Sequence, residues 1–272
     1  EDGIRDTSVT GSSDVCSSDL EPRFYECLFE NEFVPTIEHL ESLVDDDTVA
    51  ILYNFPSNPT GATITTEQRD ELLAFAQRHD LWIITDEVYD RIVFDNEHVS
   101  FVGSDDERVI LINSFSKTYA MTGWRIGYIM SANKEAMNQM IKLQYYITAC
   151  SNDAMQYAVL AAINEADDYP DEMCAEFKAR RDLICSRLNA MPGVQCHVPE
   201  GAFYVFPKVE VPGMSSEEVA IELLKGGVLC SPGSAFGPSG EGHLRFAYTI
   251  SRDDISLGMD KTEAVLKRLR GD

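Results

Sequence analysis

Short apolar runs alternate with amphipathic stretches in the first part of the chain. Three of these runs have the length of buried strands, and they occupy residues 49–52, 81–85 and 109–112. Residues 66–79 predict a crossover helix, because Leu72 and Ala76 fall on one face of it. This β-α-β order predicts an α/β sheet that is mostly parallel, with a functional site at the carboxyl ends of its strands.

The same periodicity continues to the end of the chain. A fourth strand is predicted at residues 124–130 and a helix at residues 133–144. A long amphipathic helix at residues 172–191 leads into a second region. There, strands and helices alternate, and the predicted elements are strands at 194–197, 202–206 and 243–248 and helices at 216–225 and 255–269.

Two domains follow from this pattern. We expect a three-layer α/β large domain over residues 21–172, incomplete at its N-terminus, and a smaller α+β domain over residues 173–272. Residues 1–20 lack apolar periodicity and are interpreted as a non-native leader. The codons of a common sequencing adapter would encode residues 14–20, so the segment is either translated adapter, which makes Cys16 non-native, or a disordered serine-rich leader.

The charge is strongly negative, with 46 acidic residues against 22 basic ones and a net charge of −24. Such a chain is a poor partner for nucleic acid or for an anionic membrane surface, because both carry the same sign of charge. The acids are spread along the chain. We therefore favour the solvated acidic surface of a halophile's protein over a local acidic patch that binds a partner.

Cysteine and apolar content narrow the class further. The seven cysteines form no CxxC pair and the five histidines are scattered, so neither a disulfide framework nor a metal site is expected, and reduced cytoplasmic thiols are the default. The chain contains no apolar run of membrane-spanning length. A cytoplasmic protein without a membrane partner is the resulting expectation.

The segment SFSKTYAMTGWR, residues 114–125, carries the most specific chemistry. Lys117 closely follows a buried strand, where desolvation can keep an amine neutral and nucleophilic. Ser114 and Arg125 are the residue types that hold a phosphate group. An amine beside a phosphate site suggests pyridoxal phosphate bound to the lysine as a Schiff base, whereas an isolated S-x-S-K would be read as a solvated loop lysine.

Two upstream motifs support that interpretation. Asn58 begins the sequence NPTG, and Asp86 and Tyr89 belong to the sequence DEVY at the end of an apolar run. Taken singly, NPTG is a turn and an acid at a strand end is a helix N-cap. Beside a pyridine ring, a carboxylate keeps the ring nitrogen protonated, which makes the ring an electron sink.

Together these motifs resemble the class I/II aminotransferases, the fold-type I pyridoxal-phosphate enzymes. The motifs are NPTG at 58–61, TDEVY at 85–89, SFSKTYAMTGWRIGY at 114–128, PEGAFYVFP at 199–207, PGSAFG at 232–237 and HLRFAY at 243–248. The lysine motif is most similar to that of prokaryotic aspartate and aromatic aminotransferases. Complete members begin well before Glu21, so the resemblance implies an N-terminal truncation that removes a phosphate-binding turn and a ring-stacking aromatic residue.

The resemblance also implies a role for each motif residue. Lys117 would bind the cofactor covalently and transfer protons, Asp86 would hold the ring nitrogen, and Tyr89 would bond the phenolic oxygen. The remaining assignments are cofactor binding by Asn58, Ser114 and Arg125, and substrate binding by Arg245 and Asn58. Because a strand arginine is costly without a partner, Arg245 is expected to bind the substrate α-carboxylate, the alternative being an internal salt bridge.

The implied activity is transfer of an amino group between an L-amino acid and a 2-oxo acid, by a homodimer when full length. The same residues also serve carbon–sulfur lyases of this fold. An aminotransferase-like regulatory domain and an inactive fragment are the further alternatives. The residues themselves leave the amino donor and acceptor open.

Overall fold

The computed structural model describes residues 20–104, 106–166 and 168–271, which form two compact units. The sheet unit contains residues 44–57 and 63–175. The C-terminal unit contains the described residues up to Leu43, the segment Asn58–Ala62 and the chain from Glu176 onward. Residues 1–20 are interpreted above as adapter-derived. Of these, residues 1–19, which include Cys16, lie outside the described residues. The domain boundary after residue 172 stays a prediction.

A four-stranded sheet organises the sheet unit. Its strands, in spatial order, are β1 (Ala50–Asn54), β2 (Trp82–Asp86), β3 (Val109–Ser114) and β4 (Gly127–Met130). The pairs β1–β2 and β2–β3 are parallel and β3–β4 is antiparallel. The predicted α/β class with a mostly parallel sheet is therefore confirmed.

Strand register brings three carboxyl ends to one edge of this sheet. Asn54 at the end of β1 lies opposite Asp86 at the end of β2, and Asp86 lies opposite Ile112 near the end of β3. The apolar runs form strands because their side chains are buried, as in β3, where Val109 and Leu111 lie in the core. The edge formed by these strand ends carries the polar residues of the site.

The helices of the sheet unit are α2 (Thr66–Arg78), α3 (Phe115–Thr118), α4 (Lys134–Thr148) and α5 (Asp153–Glu165). Helix α2 begins at a capping box, in which the Thr65 hydroxyl accepts from Gln68 N and the Gln68 side chain accepts from Thr65 N. It buries Leu72, Phe75 and Ala76, so the predicted apolar face is the one that packs.

At two places in this unit the structure differs from what the sequence predicts. The strand predicted at 124–130 begins only at Gly127, because Thr122–Trp124 is a 3-10 turn and Arg125 has the left-handed φ of +53°. Such a φ interrupts extended backbone. Helix α5 was not predicted at all. Its apolar residues do not define one face, and Tyr157, Leu160 and Ile163 are exposed.

The C-terminal unit mixes helices with short antiparallel strands. Its helices are α1 (Ile37–Leu43), most of α6 (Tyr169–Asn189), α7 (Ser216–Lys225) and α8 (Arg252–Arg270). Its strands are β5 (Val194–Gln195), β6 (Tyr204–Val205), β7 (Lys208–Val209), β8 (Ser231–Pro232) and β9 (Leu244–Ala247). Strand β9 pairs with β6 and β8, and β5 pairs with β7.

The core of this unit lies between helices α6, α7 and α8. Leu188, Leu223 and Leu266 are almost fully buried there. Among the described residues, no helix combines the length and apolar character that a membrane crossing requires. The His, Cys, Asp and Glu side chains of the same residues form no group suited to a metal ion.

Candidate functional site

Two strand ends and one short helix assemble the first group of predicted site residues, which we call the lysine cluster (Asp86, Tyr89, Ser114 and Lys117). Asp86 ends β2, Ser114 ends β3, and Lys117 is the third residue of α3. The Ser114 hydroxyl accepts a hydrogen bond from Ser116 N at 3.1 Å and so caps α3. Because β2 and β3 are parallel neighbours, residues 31 positions apart in sequence lie at one edge.

Lys117 and Tyr89 are in direct contact. The Lys117 Nζ atom lies 5.7 Å from the centroid of the Tyr89 ring. The Tyr89 side chain is buried and Lys117 is partly buried. An ammonium group at this distance from an aromatic ring is attracted by the ring electrons. The ring of Tyr89 therefore lies within the range of a cation–π interaction with the Lys117 amine.

Asp86 is a carboxylate in a mostly dehydrated position. Burial raises its pKa, the Val88 amide and the Lys117 charge lower it, and Glu87 adds a further rise, so that the net pKa is raised. The Val88 amide lies 3.2 Å from the carboxylate, and the Asn54 side chain donates to the Asp86 carbonyl at 3.0 Å. A further cation near this carboxylate would stabilise its charged form.

The predicted phosphate ligands lie around the β3–β4 connection. The Ser114 hydroxyl donates to Ser116 Oγ at 2.8 Å or to the Ile126 carbonyl at 3.0 Å. Arg125 is exposed and donates to the Thr122 carbonyl at 3.2 Å. Pairing of Ser114 with Gly127 brings the backbone that follows Arg125 next to Ser114.

The second group lies in the C-terminal unit, and we call it the arginine cluster (Asn58, Tyr204, Ser231, Phe236 and Arg245). Arg245 donates to Asn58 Oδ1 at 2.9 Å and to Ser231 Oγ at 3.0 Å. Its guanidinium carbon lies 4.8 Å from the ring centroids of both Tyr204 and Phe236. Neutral partners orient the guanidinium without neutralising it. Among the described residues, Asn58 and Ser231 accept the hydrogen bonds of Arg245, and the choice between the substrate α-carboxylate and a salt bridge stays a prediction.

A turn that requires glycine presents Asn58. Gly61 has a φ of +70°, and its carbonyl accepts from Glu200 N at 3.1 Å and from Gly201 N at 2.9 Å. A Cβ atom at position 61 would lie 2.4 Å from Pro199 Cβ, closer than any real contact. The NPTG turn is therefore docked on the PEGAF segment through Gly61.

Sequence reasoning missed several polar residues beside these clusters. Asn113 and Thr118 both donate to the Asp90 carboxylate next to the lysine cluster, and Ser231 accepts from Arg245. The sequence could have indicated Asn113, because this amide occupies a position that the alternating pattern of strand β3 places in the core. Ser231 had none, since its partner lies 14 residues away.

A family model described as aminotransferase class I and II matches residues 12–261. The chain belongs to this family. The motif resemblance is thereby confirmed over most of the chain, as is the placement of its fold among aminotransferases.

Individual aminotransferases from archaea are similar over most of the chain. The chain is 40% identical to aromatic-amino-acid aminotransferase 2 of Thermococcus litoralis over 244 residues, which are 88% of this chain and 62% of that protein. It is 38% identical to an aspartate aminotransferase of Pyrococcus abyssi, with the same two coverages. The chain thus spans less than two thirds of the length of these relatives.

Solved aminotransferase structures share its fold. The crystal structure of the aromatic aminotransferase from Pyrococcus horikoshii matches with a TM-score of 0.84 and 38% identity, over 88% of this chain and 65% of that one. At this identity the similarity extends beyond the arrangement of helices and strands to the family itself.

Proposed function

We propose that the chain acts in a pyridoxal-phosphate-dependent aminotransferase, which moves an amino group between an L-amino acid and a 2-oxo acid. Membership of the aminotransferase family supports the proposal. The observation that carries it is the position of Lys117 against the ring of Tyr89, at the same sheet edge as the buried carboxylate of Asp86.

The donor set of the lysine cluster fits pyridoxal phosphate. Lys117 offers a primary amine for the aldehyde, and Asp86 offers a carboxylate for the ring nitrogen. The position of Asp86 supports this fit, because its partly buried carboxylate ends β2 at the sheet edge where Lys117 lies, and a protonated pyridine nitrogen there would supply a cation that favours the charged carboxylate. When bound, pyridoxal phosphate supplies an electron sink for the substrate Cα.

Each predicted cofactor residue would then have one task. Lys117 would hold the aldehyde group and would also carry a proton to and from the substrate Cα. Efficient transfer requires an amine pKa near the working pH. Tyr89 and Asn58 would hydrogen-bond the phenolic oxygen, while Ser114 and Arg125 would bind the phosphate, with Arg125 as a forked donor.

For Arg245 we propose binding of the substrate α-carboxylate. Hydrogen bonds to two uncharged side chains, Asn58 and Ser231, hold the guanidinium in position. A planar fork that keeps its positive charge is suited to bidentate recognition of a carboxylate.

The proposed assembly is a homodimer of the full-length protein in the cytoplasm. Helices α4 and α5 support association, because Ile141, Tyr146, Tyr157 and Leu160 are each more than half exposed. The location rests on the cysteines, and each of the six described ones is a free thiol. Light scattering during size-exclusion chromatography of the full-length protein tests the dimer.

Labelling of the lysine tests the proposed function directly. The full-length protein is incubated with pyridoxal phosphate, reduced with borohydride and digested, and the modified peptide is expected to contain Lys117. Lys117→Ala should lose the label and nearly all amino transfer, whereas the matched change Lys134→Ala at the exposed start of α4 should keep both.

Two results would contradict this function. A label on another lysine would remove Lys117 from its role. Release of free ammonia and a 2-oxo acid from an amino acid, without any acceptor, would favour the lyase alternative over the transaminase.

A further inference from the structure

A carboxylate behind the lysine cluster connects three of its members. Asp90 directly follows Tyr89 and is half-buried. Its Oδ2 atom accepts a hydrogen bond from Asn113 Nδ2 at 2.8 Å. Its Oδ1 atom accepts from Arg91 N at 2.8 Å and, at the longer distance of 3.3 Å, from Thr118 Oγ1. One side chain therefore joins the turn after β2 to the end of β3 and to α3.

Both side-chain partners of Asp90 are adjacent in sequence to a predicted cofactor residue. Asn113 precedes Ser114, and Thr118 follows Lys117. Asn113 is buried, and its Oδ1 atom accepts from Ser114 N at 2.6 Å. That bond fixes the orientation of the amide, because the oxygen must face the Ser114 N–H and the nitrogen must face Asp90.

We propose that Asp90 is a positioning residue that holds Tyr89, Ser114 and Lys117 in the arrangement that cofactor binding requires. The inference rests on the proposed function. Asp90 acts through the neighbours of these residues and has no assigned contact with cofactor or substrate. Such support matters because displacement of a reacting group by about 1 Å can cost ~100-fold in rate.

The directions of these hydrogen bonds allow a sharp test by exchange of residues. In Asp90→Asn the new amide nitrogen takes the place of one carboxylate oxygen. It must face either the Asn113 nitrogen or the donors Arg91 N and Thr118 Oγ1. In both orientations a donor faces a donor, and a hydrogen bond is lost. In Asn113→Asp, two carboxylates face each other. The double variant D90N/N113D reverses donor and acceptor in the bond between residues 90 and 113, leaves an oxygen at each position for the donors Arg91 N, Thr118 Oγ1 and Ser114 N, and keeps the net charge.

The experiment compares D90N, N113D and D90N/N113D in the full-length protein. Hydrogen exchange of residues 113–118 is measured without cofactor, and pyridoxal-phosphate affinity is measured by titration. Each single change should speed exchange in this segment and weaken affinity by about tenfold, the lower end of the loss at ligand sites whose supporting partner is removed. The double variant should return both to within about twofold of the wild type, since its contacts are complete.

Asp106→Ala is the matched control. Asp106 also accepts one side-chain amide, from Gln77 at 2.9 Å, and one backbone amide, from Arg108 at 2.9 Å, and neither partner adjoins a predicted cofactor residue. Its cofactor affinity should equal that of the wild type. Equal losses in D106A and D90N would show a general effect on stability and overturn the proposal.

Other outcomes are equally decisive. Single variants with wild-type affinity, or a double variant no better than the singles, would overturn the positioning role. If the single variants do not fold, Thr118→Val, which removes one hydroxyl, replaces them in the test. A loss of cofactor affinity is then expected, and an unchanged affinity would contradict the positioning role. A wild type that binds no pyridoxal phosphate would contradict the proposed function, while exchange of residues 113–118 would still report whether Asp90 holds them.

Discussion

At the scale of single residues, Asp86 shows a conflict between stability and function. Its carboxylate is mostly buried. Burial raises the pKa of this group by more than the Val88 amide and the Lys117 charge lower it, so the net pKa is raised. A raised pKa means that the charged form is less favourable in the folded protein than in the unfolded one. The residue that the proposed chemistry needs therefore destabilises the cofactor-free fold at neutral pH.

Asp86→Asn should consequently raise the thermal midpoint of the cofactor-free protein at pH 7. A raised folded pKa means that the contribution of this carboxyl group to stability is fully present below its ordinary pKa of 3.8 and is lost as pH rises through the folded value. The advantage of the variant should thus grow with rising pH. Differential scanning fluorimetry across pH 4 to 8 measures this, and a lower midpoint for the variant at pH 7 would contradict it.

The same substitution should slow amino transfer by more than the ~100-fold typical of one acid–base contact, because an amide cannot keep a pyridine nitrogen protonated. Single-turnover kinetics with the full-length protein would measure the loss. A variant within a few-fold of the wild type would remove Asp86 from the ring-nitrogen role.

Arg245→Lys should weaken amino-acid binding while the fold persists. A lysine is a point charge and cannot reproduce the fork that bonds Asn58 and Ser231. Loss of one set of charged hydrogen bonds costs ~1.5–3 kcal/mol, or roughly 10- to 100-fold in affinity. Calorimetric titration with a non-reactive substrate analogue gives the value.

Arg187→Lys is the comparison for that change, because Arg187 forms an ion pair with Asp260 outside the arginine cluster. It should leave affinity unchanged. If Arg245→Lys alters only the unfolding midpoint and binds the analogue normally, then Arg245 is structural.

The sequence could indicate the residues that we propose to act directly, and it could not indicate those that support them. Lys117 and Asp86 stand in motifs whose order along the chain indicates their chemistry. Asp90 bonds residues 23 and 28 positions away, and only folding brings them together. The hydrogen bond between Arg245 and Asn58 could not be predicted for the same reason, since the two residues are 187 positions apart, although each was expected in the site.

At the scale of elements, the NPTG turn shows how one glycine fixes a site residue. Gly61 combines a positive φ with close approach to Pro199 and Gly201. The first property disfavours any side chain, and the second leaves no volume for one. Together they explain why the turn that presents Asn58 can pack against the C-terminal unit to which it belongs.

Gly61→Ala should destabilise the protein more than Gly213→Ala does. Gly213 has a similar φ of +78°, but a Cβ atom there would meet no atom within 4 Å. The control therefore contains only the backbone cost, which for a glycine at positive φ is on the order of 1 kcal/mol. Denaturant unfolding of both variants isolates the steric cost, and equal losses would show that the turn relaxes freely.

Helices and strands could be predicted where their side chains are buried on both faces, or on one face in a regular repeat. Strand β3 and helix α7 follow this rule, and α7 occupies the predicted residues. Helix α5 follows neither pattern, because it buries Val159 while Tyr157, Leu160 and Ile163 remain exposed. The two-residue strand β8 is too short for any period-two signal and exists because it pairs with β9.

At the scale of the whole molecule, net charge is the dominant physical feature. The sequence carries −24, and its acids are spread along its length. Repulsion among like charges opposes compaction, and this cost falls as salt shortens the screening length from ~10 Å at 0.1 M to ~3 Å at 1 M. The halophile hypothesis therefore makes a prediction that is independent of the catalytic proposal.

The thermal midpoint of the full-length protein should rise as potassium chloride is raised from 0.1 M to 1 M. For chains of this size, each ~1 kcal/mol of relieved repulsion corresponds to about 2–4 °C. The combined changes Glu71→Gln, Glu97→Gln and Glu107→Gln remove three exposed carboxylates and should reduce the salt-dependent rise, because less repulsion is left to screen. Amino-transfer activity should increase over the same range. A midpoint that falls with salt, or a rise unaffected by the triple change, would show that the acidic surface is not the source of salt dependence.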